Sequence, residues 1–131
     1  MIGGMADTTA TGDGWAVAHL DDLGDGPGFR KIRARLGVTA FGVNAVVLPP
    51  GTDSRRHFHD RQQELYFVHA GRVAFEFGDG AVRELGPGGL ARVDAATVRC
   101  LRNIGEEDAV YVCVGGEGGY VGRDGRAPDD G

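Results

Sequence analysis

Apolar residues in this chain come in short bursts cut by glycine, and where they alternate with polar ones they do so with a period of two. The stretches 64–69 (ELYFVH), 73–77 (VAFEF) and 109–115 (AVYVCVG) are strand-length runs of Val, Phe, Tyr and Leu. Side chains of this kind fit a pleated, half-buried surface, so each run reads as a β-strand. The same pattern predicts strands over 29–37, 39–48, 55–59, 81–85, 89–93 and 97–103. No window sustains a helical period beyond a weak turn near Asp21, so the chain is predicted to be all-β. Gly78-Asp79-Gly80 supplies the positive-φ positions of a tight hairpin, and 103–106 (NIGE) offers a second turn. Each is expected to join its neighbouring strands antiparallel. Strands recurring at such short intervals build a sandwich or a barrel, which covers its own edges.

With 131 residues the chain has room for one core. The predicted organisation is a partly flexible lead-in over 1–28, a barrel over 29–115 and a glycine-rich tail over 116–131, in which only Tyr120 and Val121 offer anchors. The net charge of −5 and the lack of a basic block argue against nucleic acid. Arg30, Lys31, Arg33 and Arg35 alternate with apolar residues and read as the solvent face of a strand. No apolar run approaches a membrane span, and the N-terminus lacks the features of an export signal, so a cytoplasmic location is expected. Cys100 and Cys113 do not form a zinc-knuckle pattern and read as free, half-buried thiols that face away from, or lie beyond, the chemistry described next.

That chemistry is concentrated in 51–71, GTDSRRHFHDRQQELYFVHAG, which holds three of the four histidines, two of them only two residues apart. On a strand, residues two apart share a face, so His57 and His59 project side by side. Glu64 opens the next strand, where it can swing back toward both rings. Two imidazoles and a carboxylate are a donor set for Fe(II) and similar ions that leaves coordination positions open. The same trio also makes sense as a hydrogen-bonded polar cluster in a barrel mouth, and spacing alone leaves both readings standing.

The segment resembles the first motif of the cupin superfamily, G-x5-H-x-H-x(3,4)-E-x6-G, at Gly51, His57, His59, Glu64 and Gly71. The second motif is matched in spacing by 88–103 (GGLARVDAATVRCLRN), where Gly88 and Asn103 agree but Asp94, Ala96 and Arg99 replace Pro, Gly and His. The resemblance implies a single-domain jelly-roll β-barrel with an interior site that binds a divalent ion such as Fe, Mn, Zn or Ni. It also implies dioxygenase, isomerase, decarboxylase or lyase chemistry on a small molecule. A homodimer, formed through an outer sheet, is expected with it.

Arg99 stands where the family has its fourth ligand, and a guanidinium has no lone pair to give. Two roles compete for it. It can pair with Glu64 and make a metal-free barrel that binds a metabolite, or it can turn from the ion and receive the anionic group of a substrate. Strand alternation places Tyr66 and Val68 on the inward face with Glu64, and Leu101 and Asn103 with Arg99. Tyr66, Arg55 and Asn103 join Arg99 as candidate substrate contacts. His69 faces outward, His19 has no assigned role, and Asp94 reads as a turn residue.

Overall fold

The computed structural model describes residues 9–129, so the first eight residues of the expected lead-in and the last two of the tail lie outside the described residues. Strands β1 (Ala10–Gly12) and β2 (Trp15–Val17) form an antiparallel hairpin and lead into a 3-10 turn at Leu20–Leu23. The chain continues through β3 (Gly28–Arg30), helix α1 (Ile32–Leu36), β4 (Gly42–Leu48), β5 (Phe58–His59), β6 (Gln63–Ala70) and β7 (Val73–Phe77). It ends through β8 (Val82–Leu85), β9 (Leu90–Val93), β10 (Arg99–Asn103), β11 (Ala109–Gly116) and β12 (Gly125–Arg126). The fold is all-β, as the sequence predicts.

Two sheets face each other. One runs β3-β4-β11-β6-β9 and the other β10-β7-β8, every pair antiparallel. Between them lie Val46, Leu48, Tyr66, Val68, Val73, Phe75, Val93, Leu101, Ala109 and Tyr111. Strand β6 shows how the alternation works: Glu64, Tyr66 and Val68 are buried while Gln63, Leu65, Phe67 and His69 are exposed. Removing each large apolar side chain from water contributes roughly 1.5–3 kcal/mol, and this burial holds the layers together. The polar end of the same inward row is Glu64.

The two glycines that frame the histidine segment both adopt left-handed backbone, Gly51 with φ 77° and Gly71 with φ 75°. Their surroundings differ. A Cβ on Gly71 would lie 2.8 Å from the Ala109 Cα, whereas Gly51 faces open space. The Gly78-Asp79-Gly80 turn joins β7 to β8 as expected, with Asp79 Oδ1 accepting from the Ala81 N–H at 2.9 Å.

Three expectations are corrected. The stretch 29–37 is not one strand: β3 is followed by the single-turn helix α1. Ile32 and Leu36 lie one helical turn apart, and Gly37 caps the end in left-handed conformation (φ 70°, ψ 31°) with its N–H on the Arg33 carbonyl. A helix of five residues is too short to show a period, so its basic residues mimicked a strand's solvent face. Arg33 instead lies over the Tyr120 ring at 3.8 Å, and Arg30 is buried with its guanidinium on the Gly26 carbonyl. The expected strand 55–59 is reduced to β5, because Arg55 takes a positive φ of 66° and breaks the extended run. Finally, the 103–106 turn does not close a hairpin, since β10 and β11 belong to different sheets. Asn103 supports this crossing by donating to the Leu48 and Glu107 carbonyls and accepting from the Gly105 N–H, all at 2.8 Å.

Candidate metal centre

His57 precedes β5 and is joined to Arg99, at the head of β10, by an isolated antiparallel bridge. The His57 N–H donates to the Arg99 carbonyl (3.0 Å) and the Arg99 N–H to the His57 carbonyl (2.9 Å). Directly opposed residues of this kind send their side chains to the same face. His59 projects beside His57, the two rings perpendicular with centroids 5.3 Å apart. Glu64 reaches the same place from β6. Nitrogen and oxygen donor atoms of His57, His59 and Glu64 all lie within 4.8 Å of one another.

Each imidazole is held by its Nδ1. That of His57 lies 3.1 Å from the Arg55 carbonyl, and that of His59 lies 2.8 Å from Asp124 Oδ1. Both partners are acceptors, which favours a proton on Nδ1 in each neutral ring and leaves Nε2 as the nitrogen turned to the site. His59 Nε2 is buried and has no hydrogen-bond partner. It lies 3.2 Å from Glu64 Oε1, close enough for attraction but misaligned for a hydrogen bond. Two donors that approach without pointing at each other are disposed like neighbours around a shared third atom.

Glu64 is saturated differently on its two oxygens. Oε1 accepts from the Tyr66 hydroxyl (2.6 Å) and from Arg99 Nη2 (2.8 Å), while Oε2 accepts from Gln62 Nε2 (3.0 Å). The Cys113 thiol is a further hydrogen-bonding neighbour of the carboxylate. Burial alone would raise the Glu64 carboxyl, but the His59 ring and the Tyr66 hydroxyl outweigh it and bring it down to about 2. Burial lowers His57, against the pull of the Arg55 carbonyl. His59 is raised despite its burial, because Glu64 and Asp124 favour its charged form.

Arg99 is wholly buried, and its guanidinium spans the turn between β9 and β10. Nη1 donates to the carbonyls of Asp94 (3.4 Å), Ala95 (3.2 Å) and Thr97 (2.5 Å), Nη2 to Glu64, and Nε to the Tyr66 oxygen at 3.3 Å. The altered second motif is therefore self-consistent. The arginine satisfies the carbonyls of the turn that carries Asp94 and Ala96, and the pairing with Glu64 is present. Its charge beside the ligand set lowers affinity for a cation without blocking the free nitrogens. On the orphaned His59 Nε2 and the mutual approach of the three donor atoms, the donor set fits a divalent ion held by three residues.

The structure thus gathers His57, His59, Glu64, Tyr66 and Arg99. Arg55 contributes its carbonyl while its side chain is exposed, and Asn103 sits at the sheet crossing. His69 is exposed, and His19 caps the 3-10 turn. Asp94 pairs with Gln63 (2.7 Å) and Arg92 (3.3 Å). Cys100 and Cys113 are free thiols. The expectation that both face away from the site or lie beyond it is corrected for Cys113, which is the register partner of Tyr66 and lines a cleft with Glu64. In AVYVCVG the two faces are equally apolar, so the sequence does not tell which one turns inward. Burial and the Glu64 charge push the Cys113 thiol up, leaving it protonated.

Sequence reasoning missed Asp124 and Gln62. The tail returns across the site: β12 pairs with β5 in register Gly125↔His59 and Arg126↔Phe58. This brings in Asp124, which is buried, and its second oxygen accepts from the N–H groups of Arg61 and Gln62 at 2.9 Å each. No spacing rule links residues 65 positions apart. The tail also closes the cleft beside Glu64, a space of about 190 Å³ whose polar lining is Asn44, Gln62, Glu64 and Arg123.

Residues 44–115 match the model of the cupin domain family. None of the curated proteins matches the chain. Among solved structures, an uncharacterized conserved protein with a double-stranded beta-helix domain from Klebsiella pneumoniae superposes with a TM-score of 0.67 at 23% identity, over 76% of this chain and 88% of that one. A sugar phosphate isomerase from a cupin superfamily, from Silicibacter pomeroyi, gives 0.63 at 27% identity, over 83% and 68%. A chain from crystal structures of DMSP lyases gives 0.59 at 24% identity over 68% of this chain, which spans only 44% of that chain's length.

Proposed function

The chain belongs to the cupin domain family, and from that premise we propose that it is a small metal-dependent enzyme acting on an anionic small molecule. His57, His59 and Glu64 hold a divalent ion, of the Fe, Mn, Zn or Ni class. The observation that carries the reading is the buried His59 Nε2, unpartnered and 3.2 Å from Glu64 Oε1 while its other nitrogen is tied to Asp124. When bound, such an ion supplies Lewis acidity and open positions for a small ligand.

The chain's own groups divide the remaining work. Tyr66 and Arg99 hold Glu64 in place and keep it ionised. Arg99 carries its charge beside Glu64, and Arg123 is among the residues that line the adjoining cleft, with Asn44 and Gln62 as neutral polar neighbours. This lining supports a substrate with a carboxylate or phosphate, and the 27%-identical sugar phosphate isomerase is consistent with it. Isomerase, lyase, decarboxylase and dioxygenase reactions all suit a three-ligand centre of this kind. A cytoplasmic homodimer, associated through the exposed Leu65, Phe67 and Leu90 of the outer sheet, completes the reading; light scattering of the purified chain tests the dimer.

A second reading has one specific observation in its favour, the 2.8 Å contact between Arg99 and Glu64. If that pair excludes the ion, the barrel is a metal-free metabolite binder. Elemental analysis of untagged protein, after chelation and reloading, separates the two when run beside Glu64→Ala and Arg99→His. Near-stoichiometric metal in the parent and its loss in Glu64→Ala supports the enzyme. An empty parent with binding gained in Arg99→His supports the metal-free binder, whose ligands are then sought by thermal shift with small anions.

A further inference from the structure

Asp124 belongs to a segment that the histidine motif neither contains nor adjoins. It reaches the site only because β12 pairs with β5, with Gly125 registered on His59. Its two oxygens have unlike partners. Oδ2 accepts two backbone N–H groups, from Arg61 and Gln62, and Oδ1 faces His59 Nδ1 at 2.8 Å. Another group competes for that nitrogen: Gln62 Nε2 lies 3.2 Å from it and carries hydrogens. If Gln62 donated there, Nδ1 would have to be a lone pair and the ring proton would move to Nε2, facing Glu64. An ionised carboxylate can only accept, so Asp124 forces the opposite tautomer and leaves the Gln62 amide to Glu64 Oε2.

We propose that Asp124 is a positioning residue through which the C-terminal segment selects the Nδ1–H tautomer of His59 and so presents the Nε2 lone pair to the site. The inference deepens the metal reading and rests on it for its functional meaning, although the tautomer itself can be read without any ion. The geometry also dictates the sharpest variant. In Asp124→Asn the amide oxygen is claimed by the Arg61 and Gln62 N–H groups, because only an oxygen can accept both. The amide nitrogen then occupies the Oδ1 position and donates to His59 Nδ1, which inverts the tautomer at almost unchanged volume.

The test is long-range proton–nitrogen NMR of the imidazoles in the full chain, metal-free and at a pH where His59 is neutral. The parent is expected to show Nδ1–H at His59, and Asp124→Asn to show Nε2–H. Asp124→Ala, which leaves Gln62 as the side-chain hydrogen-bonding neighbour of Nδ1 among the described residues, should invert it too, while Asp124→Glu should keep the parent signal at least in part. Arg126→Ala removes the tail's ion pair to Asp60 and leaves the carboxylate alone, so it should keep Nδ1–H. A parent with Nε2–H, or an Asp124→Asn variant that retains Nδ1–H, overturns the proposal. So does inversion in Arg126→Ala, which would assign the effect to seating of the tail. Zinc titration by calorimetry is read separately: the inverted variants should bind about 10–100-fold more weakly than the parent. A parent that binds no zinc but shows the predicted tautomers sinks the metal reading and leaves the positioning role intact.

Discussion

At the scale of single residues, Glu64 and His59 make the metal-free protein sensitive to pH in opposite directions. Glu64 is held at about 2 in the folded chain against an ordinary 4.5, so its contribution is full above 4.5 and is lost as pH falls toward 2. That gap corresponds to roughly 3 kcal/mol. His59 is raised above 6.5, so its contribution is full below that value and fades as pH rises through the folded one. Chelated protein is therefore expected to be most resistant to urea between about pH 4.5 and 6.5, with a loss as pH falls toward 2 and another as pH rises above 6.5. A denaturation midpoint that is flat from neutral pH down to about 3 would contradict this assignment. Arg99→Met removes one half of a buried ion pair and strands three carbonyls, so it should cost about 3–5 kcal/mol by the same measurement. An exposed arginine such as Arg83 should cost less than about 0.5 kcal/mol when changed.

Single elements were legible in proportion to how strongly their pattern resisted other readings. Strand β6 was plain, because its alternation of buried and exposed residues is unbroken from Glu64 to Val68. Helix α1 was not, since one turn has no period to detect, and the only available signs were Ile32, Leu36 and the glycine after them. The ligand trio was visible because all its members fall within eight consecutive residues. Asp124 was invisible because its place depends on a tertiary return of the chain, and Cys113 was misplaced because both faces of β11 are apolar. The framing glycines yield a prediction about turns. Gly51→Ala meets only the left-handed backbone and should cost about 1–2 kcal/mol. Gly71→Ala meets the same strain plus a backbone contact at 2.8 Å and should cost clearly more. Equal losses in the two variants would mean that the Gly71 turn relaxes freely.

For the molecule as a whole, the tail is part of the barrel's wall. Tyr120 lies under Arg33, Asp124 is fixed by three donors, Arg126 pairs with Asp60, and β12 pairs antiparallel with β5. A chain cut after Gly116 is expected to keep the two-sheet core yet melt several degrees lower. Its His59 should also react faster with an imidazole-modifying reagent, which peptide mass spectrometry would quantify. Unchanged melting and unchanged reactivity would show that the return of the tail is incidental. Asp124 lies outside residues 44–115, the span by which the chain is identified with its family. Two descendants of a common ancestor could thus match in every letter across that span and still diverge in their chemistry, one retaining and the other losing an inheritance carried nine residues downstream.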